Sequence, residues 1–178
     1  MQERFGDQIQ IERRAFPLRP GPDASVQFRG TRREASWRRI AAMVEADGIT
    51  WNMWQRDDYP NWSLPALEAA KCAALQSSDA FNDMHFRLFR AFFEQGVNIA
   101  IADEIMRLAQ QAPLDYDRFV DDFTAGRTRR AILDEYETAL NDYWVHAIPT
   151  VIFNDSERVV GAVPIEEYLK VLEKFGLS

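Results

Sequence analysis

One cysteine and two histidines stand among 178 residues. Cys72 alone can form neither an internal disulfide, nor a thiolate zinc cluster, nor a CxxC motif. His85 and His146 are too few for a histidine-rich metal site. No apolar run approaches the ~20 residues of a membrane span. The opening Met1-Gln2-Glu3-Arg4-Phe5-Gly6 lacks the pattern of a secretory signal, so a cytoplasmic protein is the expectation. Positive charge is also scarce, with 21 Lys and Arg against 28 Asp and Glu and a net charge of −7. That balance argues against nucleic acid and anionic membranes as partners. The basic clusters Arg32-Arg33, Arg38-Arg39 and Arg127 to Arg130 are followed closely by carboxylates and read as solvated helix faces.

What is present is ordinary globular composition, 47% apolar and 28% charged, long enough for one core and an insertion. Gln8-Ile9-Gln10-Ile11-Glu12 alternates with period two, which predicts a strand over 8–16. Pro17, Pro20 and Pro22 end it for want of amide donors. Thr31-Arg32-Arg33-Glu34 has the form of a capping box. The helix it opens carries Trp37, Ile40, Ala41 and Val44 on one face and stops at Gly48. Trp51, Trp54, Tyr59 and Trp62 then crowd between helices, where packing is a better reading than a pocket wall.

Ser63 is placed to cap a helix over 65–75, with Pro65 in its first turn. From Asp79, the spacing of Phe81, Met84, His85, Leu88, Phe89 and Phe92 predicts one apolar stripe ending at Gly96. His85 on that stripe reads as a hydrogen-bonded core residue. Shorter helices follow through Ile105 and Phe119, and a long one over 128–144 presents Ile132, Tyr136, Leu140 and Trp144. Ile148-Pro149-Thr150 then leads into a β-branched run, a polar turn at Asn154 to Glu157, and Val159-Val160-Gly161. Pro164 opens a last helix whose stripe is Ile165, Tyr168, Leu169, Leu172 and Phe175. Strands are confined to the two ends, with residues 31–145 nearly all helix.

Four colinear stretches make this order resemble the DsbA-like branch of the thioredoxin superfamily. They are Phe5-Gly6-Asp7 on to Arg14-Ala15-Phe16-Pro17-Leu18, Asn61 to Ala70, Leu88-Phe89-Arg90-Ala91-Phe92-Phe93 with Ile99, and Val145 to Thr150 with Val160-Gly161-Ala162. Within that branch the closest likeness is to FrnE-like and 2-hydroxychromene-2-carboxylate isomerase-like members, with kappa-class glutathione transferases as relatives. The resemblance implies an α/β, thioredoxin-like fold with a large all-helical insertion. Residues 1–30 and 146–178 would form an incomplete core and 31–145 the insertion. It implies protein disulfide oxidoreductase activity, with a cis proline at Pro149 facing the site. Ile148, Pro149 and Thr150 would contact an extended peptide or small thiol. His146 lies beside them, although the family places a variable residue there. The alternative activity the resemblance implies is that of a glutathione-dependent isomerase or transferase of the same branch, and Asn61 and the tryptophans would belong to its pocket. Glutathione would be a substrate or cosubstrate; no resident cofactor and no metal are implied.

One departure is large. The family begins with a strand, a CxxC (or a serine in the isomerase group) and a helix, all before the strand placed at 8–16. A strand–helix–strand unit takes roughly 30 or more residues, and only seven precede Gln8. The catalytic pair is therefore absent from these residues, and Cys72 reads as an ordinary helix residue. The expectation is a redox-inactive chain, either the product of a shortened gene or a binding module. The absent strand would be central. Its place could be taken by strand 8–16 pairing directly with Thr150–Phe153, or by a strand from a second copy, giving a homodimer.

Overall fold

Alanine and leucine between Leu64 and Ala74 and an aromatic stripe from Ser78 to Phe93 dictate the two helices about which most of the chain is built. The computed structural model describes residues 2–177, without the side chains of Gln2, Glu3 and Ala46. In order, the helices are α1 (Gln2–Phe5), α2 (Arg32–Val44), α3 (Leu64–Ala74), α4 (Ser78–Phe93), α5 (Ala102–Gln110), α6 (Tyr116–Thr124), α7 (Arg129–Asn141) and α8 (Ile165–Lys174). The strands β1 (Thr150–Phe153) and β2 (Glu157–Val160) form an antiparallel pair between α7 and α8. Among the described residues no helix is long and apolar enough to cross a membrane.

The contacts divide the chain into two units, Met1–Phe16 with Asp134–Ser178, and Pro17–Leu133. The sequence places the divisions at 30/31 and 145/146. Residues 17–30 fall with the helices because Arg19 and Ser63 bridge backbone to backbone, the Asp23 amide donates to the Asn61 carbonyl, and Phe28 packs on Trp37 and Tyr59. Residues 134–145 fall with the terminal segments because Glu135 accepts from the Ala15 amide and Tyr136 meets Phe16 edge-on at 4.9 Å.

In the helical unit, small residues set the packing. Ala69, Cys72 and Ala73 of α3, Ala80 and Met84 of α4, Ile105 and Ala109 of α5 and Phe119 of α6 share one buried cluster. Alanine faces let helix backbones approach closely, and each alanine sacrifices no side-chain entropy. A second cluster joins Phe28, Trp37 and Trp54 with Trp51, Tyr59, Phe92 and Phe93. Its rings meet edge-on at 5.2 Å between Trp37 and Phe92 and 5.2 Å between Trp54 and Tyr59, and stack at 4.0 Å between Trp51 and Phe93. These aromatics are core. Arg56 ties the same loop to α5, bonding Asp58 on one side and Glu104 on the other, and Asn98 donates to the Asp58 carbonyl.

In the terminal unit, Asn154 and Asp155 both have positive φ, 45° and 55°, the left-handed pair that hairpin turns favour. The register runs from Thr150 opposite Val160 to Phe153 opposite Glu157. Tyr143 fastens the turn to the end of α7. Its hydroxyl donates to Asp155 at 2.7 Å and its carbonyl accepts from Arg158 at 3.1 Å. Val171 and Leu172 are the buried residues of α8.

Several expectations are corrected. Residues 9–16 form no strand, and the sheet is the β1–β2 pair alone among the described residues. Alternation is not enough without a ladder partner, and β1 pairs with β2 rather than with 8–16. Ser63 does not cap α3; its hydroxyl accepts from the Arg19 amide instead. The capping box is displaced by one position, because Glu34 reaches Gly30 rather than Thr31. Helix α7 stops before Trp144, which takes φ 52° and is 67% exposed. The Val145 amide closes that end by donating to the Ala139 carbonyl at 2.8 Å, and Val145 is buried. On α4 the buried face is Ala80, Met84, Leu88 and Ala91, leaving Phe89 half exposed. On α8, Ile165 and Phe175 are exposed, and Val171 is buried beside Leu172.

Candidate functional site

Residues 145–150 connect the cap of α7 to β1. Val145 is buried and anchors the loop, while His146, Ala147, Ile148 and Pro149 are exposed. The Ile148–Pro149 peptide is cis. The Thr150 hydroxyl donates back to the Ala147 carbonyl at 2.7 Å, closing the loop, and the Gly161 amide donates to the Pro149 carbonyl at 2.7 Å, extending the hairpin by one pair.

That last bond fixes which backbone groups are committed. Opposed residues in an antiparallel pair alternate between hydrogen-bonded and non-bonded positions. With Pro149 and Gly161 bonded, Val151 and Phe153 also turn their amides and carbonyls towards β2. Thr150 and Ile152 turn theirs the other way. Among the described residues β1 pairs on one side only. Ile148, 43% exposed, stands at the mouth of this open edge.

Ile148, Pro149, Thr150 and His146 are thus brought together in one exposed loop. His146 meets no acid or base among the described residues, so nothing orients it for proton transfer. Asn61 belongs to the helical unit, where its carbonyl accepts from Asp23. Trp51 and Trp54 are consumed by packing. His85 is half-buried among Phe81, Phe86 and Phe89.

Cys72 is fully buried, with Sγ 3.7 Å from the Thr128 hydroxyl. Burial pushes its thiol up to about 11, against an ordinary 9.0. The Thr128 hydroxyl works against that rise, whereas Asp122 and Glu68 reinforce it. The same corner holds Glu68, 2% exposed, whose carboxylate takes two bonds from Arg129 at 2.7 and 3.2 Å. Glu68 is at helical spacing from Cys72 in the sequence. Thr128 and Arg129 lie about sixty residues away, and only the fold brings them in. Reactive thiols need an accessible, electropositive surround. This one has neither.

A family model described as "Thioredoxin" matches residues 18–171. The chain belongs to the thioredoxin-like family. The fold is a helix-rich, α/β thioredoxin-like fold with a helical insertion. A crystal structure named "putative protein disulfide isomerase", from Nitrosomonas europaea, superposes with a TM-score of 0.69 over 88% of this chain and 79% of its own, at 15% identity. Among relatives, the uncharacterized protein YwbO of Bacillus subtilis (strain 168) is 27% identical over 85% of this chain and 75% of its own. The ClpXP adapter protein SpxH of Shouchella clausii (strain KSM-K16) is 31% identical over 59% of this chain. SpxH of Halalkalibacterium halodurans is 28% identical over 77%. This thioredoxin-like chain spans 37% and 46% of the lengths of those two SpxH proteins.

Proposed function

We infer that these residues form the peptide-contacting part of a DsbA-like protein of the FrnE-like branch, related to the thiol–disulfide oxidoreductases, and that alone they bind without exchanging disulfides. The observation that carries the reading is the exposed Ile148–Pro149–Thr150 loop at the head of an open strand edge. An extended peptide laid there would gain main-chain hydrogen bonds from Ile148 and Thr150 and apolar contact with Ile148. Glutathione is itself a short extended peptide, so small thiols fall in the same substrate class. The single buried cysteine supplies no attacking thiolate and no resolving partner, both of which exchange requires. Joined to a segment that carries a dithiol, the same loop would hold the substrate disulfide for it. Similarity to two proteins named as adapters fits a binding role.

The test uses fluorescein-labelled, carboxymethylated insulin B chain, which has no free thiol, and fluorescence anisotropy. Wild type is expected to bind, and Ile148→Asp to weaken binding about tenfold, roughly 1.4 kcal/mol, with an unchanged circular dichroism spectrum. Equal affinity for the two proteins, or no binding by wild type, would overturn the reading.

A further inference from the structure

Helix α2 buries Trp37 and lays Arg33 over the Tyr59 ring, so its opposite side faces solvent. That side presents Arg32, Ala35, Arg39 and Ala42, all exposed. The helical repeat sets Arg32 and Arg39, and likewise Ala35 and Ala42, two turns apart, about 10.5 Å along the axis. In the sequence these arginines read as solvated charges with carboxylates close by. Arg38 keeps to that reading, paired with Glu34 at 2.8 Å. Arg32 and Arg39 do not. Among the described residues neither guanidinium has a carboxylate or a hydrogen-bond partner. From Arg29 to Val44 five arginines stand against one glutamate, in a chain whose net charge is −7. Beside Ala42 the surface falls into an open hollow of about 520 Å³, whose apolar lining is Ala41, Ala42, Ile49 and Trp51.

We propose that this face of α2 docks an acidic amphipathic helix of a partner protein, with carboxylates two turns apart on Arg32 and Arg39 and an apolar side chain in the hollow. Ala35 and Ala42 have no bulk beyond Cβ, so a second helix can lie close beside the arginines. Charge chooses the occupant. A second copy of α2, crossing antiparallel on a two-fold axis, would bring arginine against arginine, and like charges in contact select against that pairing. Nucleic acid would satisfy the arginines but leave the apolar hollow unfilled, and the negative charge of the whole chain opposes it. Glu45, which also lines the hollow, keeps the acidic side chains to the arginine end. Exposed ion pairs are weak one by one, so binding is expected to be modest and to weaken as salt rises. The face lies in the helical unit, and this inference does not rest on the peptide-binding reading, which concerns Ile148.

Fluorescence anisotropy on the full 178-residue chain tests the face. The probe is a fluorescein-labelled helix of three heptads, with leucine at its a and d positions and glutamate at e and g, which repels copies of itself at neutral pH. Wild type is expected to bind it, and to bind the same peptide with lysine in place of glutamate about tenfold more weakly or worse. Arg32→Glu/Arg39→Glu is expected to reverse that preference, with an unchanged circular dichroism spectrum. Ala42→Trp, which fills the space a second helix needs, is expected to weaken the acidic helix about tenfold. No binding by wild type, a preference that survives the charge reversal, or full affinity in Ala42→Trp would overturn the proposal. Tighter binding of a fluorescein-labelled oligothymidine than of the acidic helix would overturn it in favour of nucleic acid. A dimer in sedimentation velocity that Ala42→Trp dissolves would overturn it in favour of a second copy.

Discussion

The sulfur of Cys72 lies 3.7 Å from the hydroxyl oxygen of Thr128, and neither side chain is open to solvent. With its titration raised from 9.0 to about 11, the thiolate population near neutral pH falls about a hundredfold. Cys72 is therefore expected to react with Ellman's reagent at least a hundredfold more slowly in the native protein than in urea. The same shift sets an alkaline limit. The neutral thiol is favoured by the fold, so that part of stability is complete below pH 9 and is lost as pH rises towards about 11. Urea titrations from pH 8 to pH 11, run beside Cys72→Ala, would show the slope flattened in the variant.

The Glu68 carboxylate is buried and Arg129 holds it with two hydrogen bonds, while the arginine side chain is half in water. Removing the arginine would leave a buried charge unpaired. Such breaks cost about 3–5 kcal/mol when both partners are buried, so roughly 2 kcal/mol is expected here for Arg129→Met. The double variant Glu68→Leu/Arg129→Met is expected to recover most of that loss. Chemical denaturation of wild type, Arg129→Met and the double variant checks both statements.

Trp144 occupies a left-handed backbone position, φ 52°, that glycine adopts without penalty, and its ring is mostly exposed. Trp144→Gly is expected to stabilise the protein by roughly 1 kcal/mol, since the strain relieved exceeds the little packing lost. A lowered denaturation midpoint would show that the ring does more than the cap geometry allows.

Asp58 titrates below its ordinary 3.8, first because Arg56 donates to it and then because Asn98 does. A carboxylate lowered in the folded state stabilises fully above its unfolded value, and that contribution disappears as pH falls through the lowered one. Asp58→Asn is accordingly expected to lose stability above pH 4 and to converge on wild type in stronger acid, measured by thermal melts between pH 2 and pH 7.

Helix positions were legible in the sequence because caps and apolar spacing are local. Asp115 caps α6 through its own side chain, and Pro164 sits at the head of α8. What could not be read was competition at a distance. Ser63 has the right residue type for a cap, but Arg19, 44 residues away, takes its hydroxyl. Residues 8–12 alternate like a strand, yet alternation cannot show whether a partner is there. At the site, the loop residues Ile148 to Thr150 are contiguous and were visible together. The outward groups of Thr150 and Ile152 follow only from the Gly161–Pro149 bond, and the corner around Cys72 only from the packing of Thr128 and Arg129.

The measurement that bears most directly on binding without exchange is insulin reduction by dithiothreitol, followed by turbidity, with the 178-residue chain beside Cys72→Ser. The account requires that neither protein hastens precipitation beyond dithiothreitol alone. Acceleration by wild type that disappears in Cys72→Ser would contradict it, and would make the buried thiol the centre of the chemistry.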